Sequence, residues 1–496
     1  MRQFLPPPPL QSLIASLAEL ARAAAIDAYV VGGTVRDVLL GRDTRDLDLA
    51  VAGDALGWAR ALADRLGGHF VLLDDANAVA RVVLDDHAGA AYIDVARLQG
   101  SLEDDMHRRD FTVDALAVPL GESRVIDPCG GVADLDGRTV RMNGAYVFDD
   151  DPLRLLRAVR IAAELRFDID PATVVAIRER APRVNDAAAE RRRDELARIF
   201  ALGAAYPALR QLDDLGLLDA LLPELSAGRG VTQPEQHHAY DVFEHNLRAV
   251  EAADIMLAPE SPAGGARWLH AALWQAFAWC EPELRAYLAE EMSEGRSRAA
   301  LLKLAALLHD VAKPQTRTEE PGGRARFFGH ADLGADIARR IMRRLRFSSR
   351  ESAFVALLVA EHLRPVQLAQ IGEAPTRRAL YRFYRDLGDA APAVLLLALA
   401  DAAAARGEQM SRDGWSRQVA YMNGLLVRSK EEEGIVHPPR LLSGQDIMSE
   451  LELPEGPAIG RLLAAIEEAQ AAGDVHDRKG ALAFARKLAR EGAAGR

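Results

Sequence analysis

VVGGTVRDVLLGRDTRDLDLAV, residues 30–51, joins a paired-glycine turn to two aspartates two positions apart. Ala28–Val31 is β-prone, Gly32-Gly33 makes a turn, Thr34–Leu40 reads as a helix closed by Gly41, and Asp46–Val51 alternates like a strand. Residues i and i+2 of a strand face the same way, so Asp46 and Asp48 share one face. Two neighbouring carboxylates repel each other unless a cation lies between them. Oxygen-only ligation suits Mg²⁺, which binds through one or two carboxylates plus substrate phosphates. The Gly32-Gly33 turn lets backbone N–H groups approach a triphosphate at a helix N-terminus, and Arg36 would add charge there. A lone DxD or GG is an ordinary turn. Together at this spacing they point to metal-assisted phosphoryl or nucleotidyl transfer.

Outward from this stretch, Leu10–Ala25 has helical periodicity after a proline run. Phe70–Leu73, Val79–Leu84, Tyr92–Val95 and Ala115–Val118 are strand-like, which makes the first 145 or so residues an α/β unit. From Pro152 onward, long Ala/Leu/Arg helices are expected, with joints near Gly228–Gln236 and Gly407–Gly414. The 496 residues exceed one ordinary domain, and 49% hydrophobic with 27% charged residues excludes wholesale disorder. Lys and Arg total 61 against 73 Asp and Glu, a net charge of −12, so a nucleic-acid partner must be met by a local patch. Cys129 and Cys280 form neither a disulfide framework nor a zinc pair, and the N-terminal stretch lacks the apolar run of a signal peptide. A cytoplasmic protein is expected. The apolar run Ala390–Ala405 is short for a bilayer span and carries Asp401, so no membrane partner is expected.

GGTVRD followed by RDLDLAV resembles the bacterial-type (class II) tRNA nucleotidyltransferase and poly(A) polymerase family. Four further segments match in order: RRDFTVDAL (108–116), DPCGGVADL (127–135), DDPLRLLRAVRIAAEL (150–165) and ERRRDELARIF (190–200). The resemblance implies an α+β chain. A nucleotidyltransferase head (1–145) precedes a helical neck (146–230), an HD-type helical domain (231–408) and a helical C-terminal tail (409–496). It also implies that Asp46 and Asp48 are the catalytic, Mg²⁺-holding pair, with Asp94 a weaker third acidic candidate. Arg108, Arg109 and Asp110 fall where the family contacts ribose and triphosphate; the structural alternative for Arg109 and Asp110 is an internal ion pair. Three departures stand out: Asp114 where asparagine is frequent, Cys129 where an aromatic is common, and Asp150 where glutamate is usual.

Asp151 and Arg154, three apart at a helix start, offer an acceptor and a donor toward one ligand. Cytosine and adenine both present an exocyclic amino donor beside a ring-nitrogen acceptor. Guanine and uracil present the reverse order and would leave both protein groups unsatisfied. The family uses this segment as a protein template for CTP and ATP, with Arg157 as a helper on the same helix face. The alternative is a helix-capping aspartate beside an exposed arginine.

A second constellation spans His245, His309-Asp310, His330, His362 and Asp401. The order His, His-Asp, Asp resembles the HD phosphohydrolase superfamily. It implies one or two divalent metals, with His330 and His362 as the extra ligands of two-metal members and Lys313 near a phosphate. In ARRIMRRLRFSSR (338–350) six arginines crowd what reads as one short helix and would suit an RNA backbone, and Gly456, Gly460 and Arg461 a close approach to one. The expected activity is addition of CCA to the 3′ end of tRNA from CTP and ATP, with no protein partner implied. The alternatives are an A-adding enzyme or poly(A) polymerase, an HD phosphohydrolase, and a non-catalytic RNA-binding protein.

Overall fold

The computed structural model describes residues 2–494 except 45, 85–89, 235–238, 321–324, 371–374, 433 and 435–437. The expected joint at Gly228–Gln236 therefore lies partly outside the described residues. The chain divides into two compact units, Met1–Glu195 with Gln211–Leu221, and Leu196–Arg210 with Leu222–Arg496.

The first unit is built on a six-stranded sheet. In chain order its elements are α1 (Pro8–Ala23), β1 (Ala28–Val31), α2 (Gly33–Leu39), β2 (Asp46–Val51), α3 (Ala55–Leu66), β3 (His69–Asp74), β4 (Val79–Val83), β5 (Tyr92–Arg97), α4 (Leu102–His107), β6 (Ala117–Pro119) and α5 (Gly131–Asp136). The strand order is β3-β4-β5-β2-β1-β6. Only β2 and β5 run parallel, and their register sets Asp48 opposite Asp94. Alternation along β2 separates its faces: Leu47, Leu49 and Val51 are buried in the core, while Asp46 is exposed and Asp48 half-buried. Helix α1 starts two residues before the expected Leu10, because proline at the first helical positions needs no N–H partner there. The strand expected at Ala115–Val118 is shorter. Residues Thr112–Asp114 make a 3₁₀ turn, and only Ala117–Pro119 pairs with β1.

The same unit continues into α6 (Val147–Asp150), α7 (Arg154–Leu165), α8 (Pro171–Arg180) and the start of α9 (Ala189–Ala201). Its fold is α/β in the head and helical beyond, apart from a two-residue parallel pairing of Thr139–Val140 with Asp168–Ile169.

The second unit is helical. Val242–Leu257 packs against Ala391–Arg406 and Arg298–Leu308, and His330–Arg344 packs against Ser349–Glu361. The buried pair Lys303–Asp254 (2.8 Å) ties the helix Arg298–Leu308 to Val242–Leu257. At its end, Gly444–Leu451, Pro457–Ala472 and Arg478–Ala494 enclose an apolar cluster around Ile447, Ile466, Ala481 and Ala485. The segment Arg377–Arg406 is long and apolar enough to cross a membrane by composition, yet 72% of its most apolar window is buried inside the protein, as in a core helix. The six arginines at 338–350 do not share one helix: Arg346 adopts a left-handed φ of 60° between the helices ending at Arg344 and starting at Ser349.

Gly131 is needed by close approach. Asp127 caps its N–H at 2.8 Å, and a Cβ on Gly131 would lie 2.1 Å from the backbone oxygen of Thr112. Gly131→Ala should therefore push α5 off the Thr112–Asp114 turn and cost roughly 1–3 kcal/mol. Urea melts of the two proteins check this; an unchanged midpoint would show that the contact is slack.

Candidate active site and metal centre

The turn between β1 and α2 places Gly32 at φ 67°, a conformation natural to glycine. A Cβ there would sit 2.9 Å from Arg109 Nη1 and 3.5 Å from Asp48 Oδ2, so the Asp48 carboxylate lies against the glycine turn. Thr34 fixes this geometry. Its hydroxyl donates to the Asp46 carbonyl (3.0 Å) and accepts the Asp48 N–H (2.9 Å), fastening α2 to the strand that carries both aspartates. Nothing in the sequence pattern singled out Thr34 beyond its place directly after the glycines. Burial and the neighbouring Asp94 push the Asp48 carboxyl up to about 6, with Asp46 and Asp114 adding to the rise and Arg109 opposing it. Acidic oxygens crowded in a partly desolvated corner fit a hard divalent cation.

The surrounding arginines are already engaged. Arg36 is buried and donates to Asp114 (2.7 Å) and to Asp37 (2.9 Å), rather than standing out toward a phosphate. It thereby neutralises Asp114, the charge that departs from the usual asparagine. Asp94, opposite Asp48, accepts a two-pronged contact from Arg81 (2.8 and 2.9 Å). Arg108 and Arg109 both donate to the fully buried Asp105, at 2.5 and 3.2 Å, a residue that sequence reasoning passed over. Asp110 pairs not with Arg109 but with Arg157 (2.7 Å). Against the pull of burial, Arg157 and then Arg154 hold its carboxyl below the ordinary range. Arg157 is thus an internal ion-pair partner, also 3.8 Å from Glu195, instead of an outward helper.

Asp151 precedes α7 by three residues and is not its capping residue. Its oxygens accept from the Leu153 N–H (3.1 Å) and from Arg191 (3.1 and 2.7 Å). Arg154 opens α7 and donates to the carbonyls of Val147 and Arg108, both at 3.3 Å. The structure therefore brings Arg154 and Arg157 onto the Arg108–Asp110 segment. Asp151 is held toward α9.

In the second unit six side chains from distant segments converge. His245 Nε2 lies 3.0 Å from His309 Nε2, 3.3 Å from Asp310 and 3.1 Å from Asp401. His330 and His362 Nε2 approach the other Asp310 oxygen at 3.3 and 3.8 Å. Three triads have ligand atoms close enough for a metal: His245-His309-Asp310, His309-His362-Asp401 and Asp310-His330-His362. In His309, His330 and His362 the Nδ1 meets a backbone carbonyl, of Ala306, Phe327 and Val359, at 2.8, 2.6 and 2.7 Å. That contact puts the proton on Nδ1 and turns the Nε2 lone pair inward, as metal-binding histidines require. Nε2 of His330 and His362 is buried without a hydrogen-bond partner, an expense that a cation would remove. Burial, reinforced by His309, lowers His362 to about 4, keeping it neutral and able to ligate. For His309 burial acts downward too, but Asp310 and Asp401 outweigh it and raise the imidazole to about 10, so without a cation Nε2 also carries a proton, which a bound metal would displace. Lys313 reaches Asp310 (2.5 Å) and Gln233 (2.6 Å), so its ammonium is held within the cluster.

Comparison with known proteins agrees with this layout. Residues 28–141 match the profile of the poly A polymerase head domain. Residues 166–228 match that of the probable RNA and SrmB-binding site of polymerase A, and 284–406 that of the HD domain. The A-adding tRNA nucleotidyltransferase of Deinococcus radiodurans is 37% identical over 470 residues, covering 94% of this chain and 96% of that protein. The CC-adding tRNA nucleotidyltransferase of Thermus thermophilus is 37% identical over 468 residues, covering 92% and 93%. A solved structure of a CCA-adding enzyme with CTP has the same fold, with a TM-score of 0.60 at 19% identity over 96% of this chain and 94% of that one. With near-complete coverage of relatives above 30% identity, this chain belongs to the tRNA nucleotidyltransferase family.

Proposed function

We propose that the chain extends the 3′ end of tRNA with C and A, selecting CTP and ATP through Asp151 and Arg154 and joining them at the head. The observation that carries this reading is the placement of the Asp48 carboxylate against the Gly32-Gly33 turn, with Asp46 on the same strand face. Asp46 and Asp48 would hold Mg²⁺, which when bound offsets phosphate charge and favours ionisation of a ribose hydroxyl. The glycine turn leaves room for phosphate oxygens to approach backbone N–H groups. Arg109, whose Nη1 borders the same turn, adds positive charge beside it. For base choice, Asp151 accepts from the exocyclic amine and Arg154 donates to the ring nitrogen of cytosine or adenine. Both groups have protein partners in this structure, so base reading exchanges Arg191 and two backbone carbonyls for the nucleotide. A cytosolic location follows from the substrate.

The names of the two full-length relatives favour a second reading, in which the chain adds only A or only the two C residues. Trimmed tRNA incubated with CTP alone, ATP alone and both separates the cases. C followed by A is expected; C without A, or A only on tRNA already ending in CC, would replace the proposal by the narrower activity. In the same assay Asp48→Ala should lower incorporation by at least about 10³-fold. Incorporation at the normal rate would reject Asp48 as part of the machinery.

The second cluster we assign to binding one or two divalent cations through His245, His309, Asp310 and Asp401, with His330 and His362 completing a second position. A cation bound there would polarise a phosphoester toward hydrolysis. Metal analysis of the purified protein should find one or two equivalents. His309→Ala should lose most of that metal, and any hydrolysis of 2′,3′-cyclic RNA ends, while nucleotide addition persists. Retention of full metal content would refute the ligand set.

A further inference from the structure

Beside the C-terminal end of the helix Ala391–Arg406, the chain turns at Gly407 and re-enters a 20-residue helix, Arg412–Glu431. Together with the helix Arg364–Gln370, these elements enclose a half-open cleft of about 480 Å³. That volume lies in the range of sites that hold a small ligand. Three features mark the cleft as more than a packing gap.

The first is charge. Arg406 and Arg417 line the cleft, and no acidic side chain lines it with them. Neither arginine has an ion-pair partner among the described residues, whereas Arg364, on the adjoining helix, pairs with Asp386. The N-terminus of the long helix, capped by Ser411 at Gly414 N–H (3.1 Å), adds its positive end to the same wall. The second is unmet hydrogen bonding. Gln418 Oε1 and Tyr421 Oη are both shielded from solvent and lack a hydrogen-bond partner. Both residues line this cleft. A buried polar atom left alone is unfavourable, and a ligand with a complementary edge would remove that penalty. The third is shape and polarity. Val366, Met410, Met422 and the Tyr421 ring give the cleft an apolar surface beside its polar groups. Two cations, an unfilled amide acceptor, a phenol and an apolar wall together match a phosphate joined to a flat heterocycle that carries an amino group.

We propose that this cleft is a second nucleotide site, binding a phosphorylated nucleoside with an amino-bearing base, its phosphate on Arg406 and Arg417 and its base edge on Gln418. The ligand chemistry is common to free AMP and to the terminal nucleotide of an RNA. The proposal lies wholly in the second unit. It needs neither the template role of Asp151 and Arg154 nor turnover at the histidine cluster.

Photocrosslinking tests it on the full-length protein. The probes are 8-azido-AMP and a short RNA ending in 8-azidoadenosine, with labelled positions mapped by peptide mass spectrometry. Label within residues 410–422 is expected. Capture by the first probe alone identifies a free nucleotide, and capture by the RNA alone identifies its end. Arg417→Glu should weaken that label at least about tenfold, and Gln418→Ala should weaken it while leaving the helix intact. Addition of nucleotides to tRNA should stay unchanged in both. Absence of label in this segment with either probe, or equal labelling of the wild type and both variants, would overturn the proposal. Because addition to tRNA is measured separately, failure here leaves the head reading standing.

Discussion

Confined negative charge is the constraint on which this protein is built. In the head, Asp46 and Asp48 on one strand face meet Asp94 across the parallel pair β2–β5. In the second unit Asp310 and Asp401 are enclosed with four histidines. Carboxylates gathered in a low-dielectric corner repel one another, and each surplus charge must be matched by a guanidinium, a proton or a metal. The head shows the first solution around its rim, where Arg36 answers Asp114, Arg81 answers Asp94, and Arg157 answers Asp110. Asp48, on the same strand face as Asp46, lies against the glycine turn.

The two sites meet that constraint with different materials. The head gathers carboxylate oxygens beside a glycine turn, a hard oxygen environment of the kind that suits Mg²⁺. The second cluster uses imidazoles whose Nδ1 atoms are fixed by backbone carbonyls three residues earlier, Ala306 and Val359 in the preceding helical turn and Phe327 in the turn that leads into His330–Arg344. The local backbone therefore orients each ring. Rigid secondary structure thus does for the histidines what the Thr34 hydroxyl does for the aspartates.

The legibility of these features in the sequence followed the range of the interactions. That Asp46 and Asp48 share a strand face was readable because strand period acts within a short stretch, and that the six His and Asp side chains of the second unit converge because their order along the chain carries a family pattern. Arg36 was misjudged because its partner, Asp114, lies 78 positions away and pairs through the fold. Asp105 escaped notice for a different reason: its partners Arg108 and Arg109 lie only three and four positions on, but its complete burial is set by the fold. The six-arginine segment read as one helix because a left-handed arginine at 346 has no compositional signature. The engagement of Asp151 by Arg191, 40 positions later, had no local sign because it depends on how α7 and α9 pack.

Strand β1 lies between β2 and β6, and the Gly32 N–H bonds the carbonyl of Leu116 (3.1 Å). The earliest part of the polypeptide therefore waits for a much later part before its turn is fixed. During synthesis on a ribosome, β1 and β2 can pair as a local ribbon, but the missing edge strand leaves the turn without its anchor until Pro119 has emerged. Loop closure over that separation makes completion of the sheet a slow, late event in the maturation of the head. Nascent chains cut short before this point would carry Asp46 and Asp48 beside a turn that still lacks its Leu116 anchor.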